Sequence, residues 1–222
     1  MDIQTMRNQV RDYLESDAEE LPDDLLDGWF SEAFTRILNR DGRWPWLEKT
    51  WTFDSTAQVG TYAIASDVGE IQSIVDTANG PLGWLGHQEA ARKFTRTPSR
   101  TGTPVWFSKW ADTYALWPVP AASYSYAAHG YRVPTSLDSM DPGSEPDLPV
   151  EYHPLLVRWA IACQYERTDD TEMAAYNRQH FEDQLGQLWA RAKAAPTASP
   201  IIMNSGGSKV NRGGIPNVVF AS

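Results

Sequence analysis

A single cysteine, Cys163, leaves the 222-residue chain unable to close an internal disulfide. It falls in an apolar helical pattern between Arg158 and Gln164 with no base at a recognisable spacing, and so reads as a small buried hydrophobe rather than a nucleophile. Long apolar runs are missing as well: no window approaches the roughly 18 residues of a membrane span. Met1-Asp2-Ile3-Gln4-Thr5 offers neither a basic region nor an apolar stretch, so no secretory signal is expected, and the expectation is a soluble protein synthesised in a reducing cytoplasm. Positive charge is scarce. Nineteen bases against 29 acids give a net charge of −10, which repels a polyanion and excludes wrapping of DNA or anchoring to anionic lipid as the driving interaction. Histidine is limited to His87, His129, His153 and His180, with no His-x-x-x-His pair or Cys-x-x-Cys, so no metal is expected. Gly206-Gly207 and Gly213-Gly214 lack the strand, helix and lysine of a phosphate loop, so no cofactor is expected. Asp23 and Asp24 pose as paired carboxylates but read better as the acidic first turn of a helix. No enzyme is expected.

Tryptophan is plentiful, with ten in the chain, and indole is enriched in the cores of interfaces. Apolar residues at helical spacing predict a helix through Ile3, Met6, Val10 and Leu14, and a second from Leu25 to Leu38 with Gly42 as its stop; Gly28 within it is read as a mark of close packing. From Trp46 to Val133 the period shortens. Runs at 50–53, 61–64, 71–75, 105–108, 114–117 and 124–131 alternate with turn residues and predict strands, with one short helix over 88–94. A proline-rich acidic stretch follows, and then helices opening at Pro154 and continuing from Ala174 to Ala192. The expected fold is α+β: a four-helix α domain from residues 1–45 and 149–195, an inserted antiparallel β domain at 46–133, a Pro-rich acidic linker at 134–148, and an extended C-terminal tail at 196–222.

That tail has no acid, and its only charged side chains are Lys209 and Arg212. Glycine, serine and asparagine cannot bury enough surface to fold it alone, yet Ile201-Ile202-Met203 and Val218-Val219-Phe220 are apolar anchors suited to a partner. The favoured reading is a tail that orders on assembly; the alternative is an unstructured tail with incidental apolar residues. The tryptophans have two kinds of reading too. Trp44 and Trp46 seal the helix-to-strand junction, and Trp106 and Trp117 fill the sheet core, or else Trp84, Trp106, Trp110 and Tyr114 make a stacking platform for a glycan. A platform for single-stranded nucleic acid fails on charge.

The run Leu21-Pro22-Asp23-Asp24-Leu25-Leu26-Asp27-Gly28-Trp29, followed by Arg43-Trp44-Pro45-Trp46-Leu47-Glu48, resembles the opening of tailed-bacteriophage head-to-tail adaptor proteins, also called connector or neck proteins. Gly60–Ile64, Gly69–Ile74, Gly102–Phe107, Leu116–Pro120, Tyr131–Pro134 and Leu148–Val157 resemble later parts of the family in the same order, so that the likeness spans Leu21 to Trp189. It implies a structural virion protein in the phage neck: a homo-oligomeric, dodecameric ring bound below the portal protein that extends the DNA channel towards a downstream neck or tail protein. DNA would pass during ejection without sequence-specific binding, and no membrane is involved. Contacts to the portal or a neighbouring subunit fall on Ile201, Ile202, Met203, Lys209, Arg212, Val218, Val219 and Phe220; contacts to a tail component fall on Trp84, Trp106 and Trp110. The alternative function is a carbohydrate-binding module or tail-associated glycan binder.

Overall fold

The computed structural model describes residues 1–96, 100–137 and 141–194. Its elements in chain order begin with α1 (Ile3–Leu14) and α2 (Asp23–Arg40), followed by β1 (Glu48–Asp54), β2 (Thr61–Ala63), β3 (Val68–Asp76), β4 (Gly80–Pro81) and β5 (Gly83–Trp84). Then come α3 (His87–Arg96), β6 (Thr101–Gly102), β7 (Trp106–Trp110), β8 (Thr113–Trp117), β9 (Val119–Pro120), β10 (Ser125–Arg132), α4 (His153–Arg167) and α5 (Thr171–Ala192). The fold is α+β with five helices among the described residues. The expected tail lies outside them.

Helix α4 touches α1, α2 and α5, and its burial explains why: Leu155, Leu156, Trp159, Ala160, Ile161, Ala162 and Cys163 leave almost no polar face. Ile3, Met6, Val10, Leu26, Phe30, Phe34, Ile37, Phe181 and Leu185 complete one core around it. Asp2 caps α1 through the Thr5 amide at 2.6 Å, and Asp170 caps α5 through Met173 at 3.1 Å. Asp23 and Asp24 are the acidic first turn of α2, as expected, and the acids of this turn also reach α1. Pro22 is the cap residue and offers no side-chain bond, while Asp23 accepts from Arg7 (2.8 Å) and Arg11 (2.6 Å) and Asp27 accepts a two-pronged contact from Arg7 at 2.9 and 2.5 Å. These carboxylates therefore bind α1 to α2 around the nearly buried Arg7. Gly28 is not a close contact: a Cβ there would meet nothing within 4 Å.

The insertion forms two four-stranded sheets, ordered β1-β10-β3-β4 and β2-β8-β7-β5, plus the two-stranded β6-β9. Pairing is antiparallel, as expected, apart from two short parallel contacts of β5 on β7 and β6 on β9. Trp51 and Phe53 alternate inward along β1 in register with Ala128 and Tyr126 of β10. The two sheets meet over a second core of Ile74, Leu82, Phe107, Tyr114, Leu116, Tyr126 and Ala128. Gly130 sits at a register shift of β10, where a Cβ would lie 2.0 Å from the Glu70 carbonyl oxygen and 2.9 Å from the Ile71 Cα, so only glycine fits.

The proline-rich stretch expected as a linker packs along the helices. Ile3 and Gln4 at the head of α1 donate to the Ser144 and Pro142 carbonyls (3.1 and 2.9 Å), and Leu137 and Leu148 enter the helical core. Arg132 forks onto both oxygens of Asp147, which also accepts the Thr135 amide at 2.9 Å. The guanidinium, helped by that amide, holds the Asp147 carboxyl below the usual carboxylate range. A group with a depressed folded pKa stabilises the fold above its unfolded value of about 3.9 and loses that contribution as pH falls through the folded one. Asp147→Asn is therefore expected to cost about 1–3 kcal/mol at pH 7 and to flatten the acid limb of a stability-versus-pH curve measured by urea unfolding.

Candidate functional site

Helix α3 is the one α-helix among the described residues of the insertion, and it packs on β7. Leu85 and Ala90 are its buried footing: the Leu85 amide donates to the Phe107 carbonyl and the Ala90 amide to the Gly86 carbonyl, both at 2.9 Å. Gly83 makes room for a ring. A Cβ there would fall 2.3 Å from two carbons of the Trp106 indole, so Trp106 lies flat across the β5 backbone. Lys93 on α3 sets its Nζ 4.3 Å above that indole, and His87 at the start of α3 stacks on Trp110 with ring centroids 3.8 Å apart. Trp110 is 63% exposed, Val105 51%.

The three tryptophans assigned to a tail component do not share one surface. Register pairs Gly83 with Trp106 and Trp84 with Phe107, so Trp84 points to the opposite side of the sheet, where its ring meets Phe107 edge-on at 5.1 Å. Trp106 and Trp110, two strand periods apart, share the α3 side. Tyr114 faces the core, opposite Lys109, and its burial pushes the phenol up to about 12. A flat glycan platform of Trp84, Trp106, Trp110 and Tyr114 is therefore not assembled.

The remaining tryptophans seam the molecule. Trp44 is fully buried, stacks on Trp46 at 4.3 Å and meets Tyr152 edge-on at 5.6 Å; Trp46 is 4.7 Å from the same tyrosine. The Trp44 indole N–H donates to the Ile37 carbonyl at 3.1 Å, satisfying one of the open carbonyls at the end of α2. Trp159 lies under the Arg36 guanidinium at 4.2 Å. At the other end of the described chain, Lys193 reaches the Arg43 carbonyl at 2.5 Å and Asp41 at 3.0 Å, tying down the end of α5.

His153 is buried and bonded to the Leu148 carbonyl at 3.0 Å, and that burial pushes its imidazole pKa down. Burial pushes the Cys163 thiol up to about 11, which keeps it protonated and inert. Among the described residues no group of three or more His, Cys, Asp or Glu is placed to hold a metal, and no helix is long and apolar enough to cross a membrane. What sequence reading missed is local charge. Between Gly80 and Trp110 stand Arg92, Lys93, Arg96, Arg100 and Lys109 against one acid, Glu89, a basic island hidden inside a total of −10. A windowed charge count would have found it.

Exposed rings and cations over a closed core mark the α3 side of the insertion as a binding surface. The family model of the SU10 adaptor protein matches residues 1–203, and the chain belongs to that family. It is a bacteriophage adaptor of the head-to-tail class, a structural protein of the virion neck, as the order of motifs from Leu21 to Trp189 implied; the family implies a non-enzymatic role. No curated protein matches the chain.

Proposed function

We propose that the chain is the subunit of a homo-oligomeric, dodecameric ring that sits below the portal, extends the DNA channel towards the tail and lets DNA pass during ejection. The observation that carries this reading is the match of the adaptor family over residues 1–203. The acid surplus supports it, since a lumen lined by carboxylates repels phosphates and leaves DNA free to slide. In this reading residues 1–45 and 149–195 form the helical domain, residues 46–133 the β domain, and residues 196–222 the arm that reaches the portal or an adjacent subunit. Ile201, Ile202, Met203, Val218, Val219 and Phe220 supply its apolar anchors, with Lys209 and Arg212 meeting an acidic surface. Such an arm loses its conformational freedom only on binding. Trp84, exposed and turned away from Trp106 and Trp110, is the part of the aromatic set left for the downstream neck or tail component.

Purified chain mixed with purified portal is expected to co-sediment and to appear by negative stain as a collar on the portal. Two species that sediment separately at micromolar concentration would sink the proposal.

A further inference from the structure

Part of the basic island lies with the exposed rings on the α3 side of β7, where Lys93 and Arg100 meet indoles, while Lys109 alternates to the other side of that strand. Arg92 and Arg100 are exposed, Lys93 and Lys109 are half-buried, and none of the four pairs with a carboxylate among the described residues. Lys93 and Arg100 instead lie over the indoles of Trp106 (4.3 Å) and Trp117 (5.3 Å). We infer that this α3–β7 face is a docking surface for a second copy of the chain, received through the acidic end of that copy's helices; the inference rests on the ring proposed above and names the contact that builds it.

Charge selects the partner. With four net positive charges between Gly80 and Trp110, the rest of the chain carries all of the acid surplus. Its densest exposed stretch runs from the end of α1 to the start of α2, where Asp12, Glu15, Asp17, Glu19 and Glu20 have no basic residue among them. Asp12, Glu15, Glu19 and Glu20 form no ion pair among the described residues, and Tyr13 beside them is 51% exposed. This end is the far end of the helices from the insertion, because α2 carries the chain from Asp23 to Arg40 over about 27 Å at 1.5 Å per residue. The two patches therefore do not neutralise each other within one molecule. Two different patches meeting across copies make a head-to-tail contact, the kind that closes into a ring when its rotation allows. Duplex DNA matches the face less well. It satisfies the cations but offers nothing apolar to Trp110, and the net charge of the chain opposes its approach. Tryptophan and arginine together are the composition of a protein interface.

Sedimentation velocity of the full-length chain at low salt, over a concentration series, tests this. The wild type is expected to associate, and R92E/K93E and E19K/E20K are each expected to weaken association about a hundredfold, with W110A weakening it about tenfold. The quadruple R92E/K93E/E19K/E20K, which swaps the signs across the contact, is expected to recover to within about tenfold of the wild type. Circular-dichroism melts exclude unfolding as the cause. A wild type that stays monomeric overturns the inference, as do double variants that associate normally or a quadruple as weak as the doubles. If R92E/K93E instead abolishes binding of labelled duplex DNA while association is unchanged, the partner is nucleic acid and the inference fails. A monomeric chain that still binds the portal refutes this contact and leaves the adaptor role standing.

Discussion

A chain truncated after Ala195 is expected to melt within a few degrees of the full chain and to lose attachment to the portal altogether. Both cores are assembled from residues before Lys193, and α5 is already tied at its end by Lys193 to Asp41 and to the Arg43 carbonyl. The deleted segment removes Ile201-Ile202-Met203, Val218-Val219-Phe220 and both tail cations, which are the anchors that the proposed function assigns to the portal. Binding energy at interfaces concentrates in a few such anchors, so their joint removal costs far more than the area of any one suggests. Co-sedimentation with portal reads the loss, and thermal melting controls for the fold. Truncated subunits that still join heads to tails in an assembly reaction would refute the assignment.

Trp44→Ala is expected to be the most damaging single substitution to the fold. The side chain is fully buried, fills the junction between helices and sheets, and caps the Ile37 carbonyl. Truncation leaves a void and an unpaired carbonyl and costs about 3–5 kcal/mol. At about 2–4 °C per kcal/mol for a chain of this size, the melting temperature falls by about 6–20 °C. Trp44→Phe keeps part of the stack on Trp46 and Tyr152 but not the N–H, so its loss is expected to be about a third as large. Equal stability of Trp44→Ala and the wild type by calorimetry would contradict the role given to this seam.

Much of this was legible from periodicity. The stripe Ile3, Met6, Val10 predicted α1, and the alternation at 50–53 predicted β1, because both signals are local and burial enforces them. Asp23 was placed in the first turn of α2 but its ion pairs were not foreseen, because Arg7 and Arg11 lie a helix away and no local rule connects them. The two sides of the aromatic set were hidden in the same manner. Trp84, Trp106 and Trp110 looked like one set, but which side of the sheet each takes follows from the register of β5 on β7, a parallel contact that pairs Gly83 with Trp106 and Trp84 with Phe107, distant in sequence. The proline-rich stretch suffered from composition. Its prolines and acids read as a linker, whereas Leu137, Leu148 and Asp147 secure it to the core and to Arg132.

The backbone passes between the helices and the sheets twice, once from Asp41 to Glu48 and again after Arg132, and both passages are tied by side chains. Arg43 forks onto Glu70 at 3.1 and 2.7 Å beside the first, and Arg132 holds Asp147 beside the second. One passage would act as a swivel. Two passages carried in parallel resist torsion, so a twist applied to the sheets is delivered to the helices instead of being absorbed between them. In the proposed ring, that would make each subunit a stiff coupling and leave the compliance of the neck to the contacts between subunits.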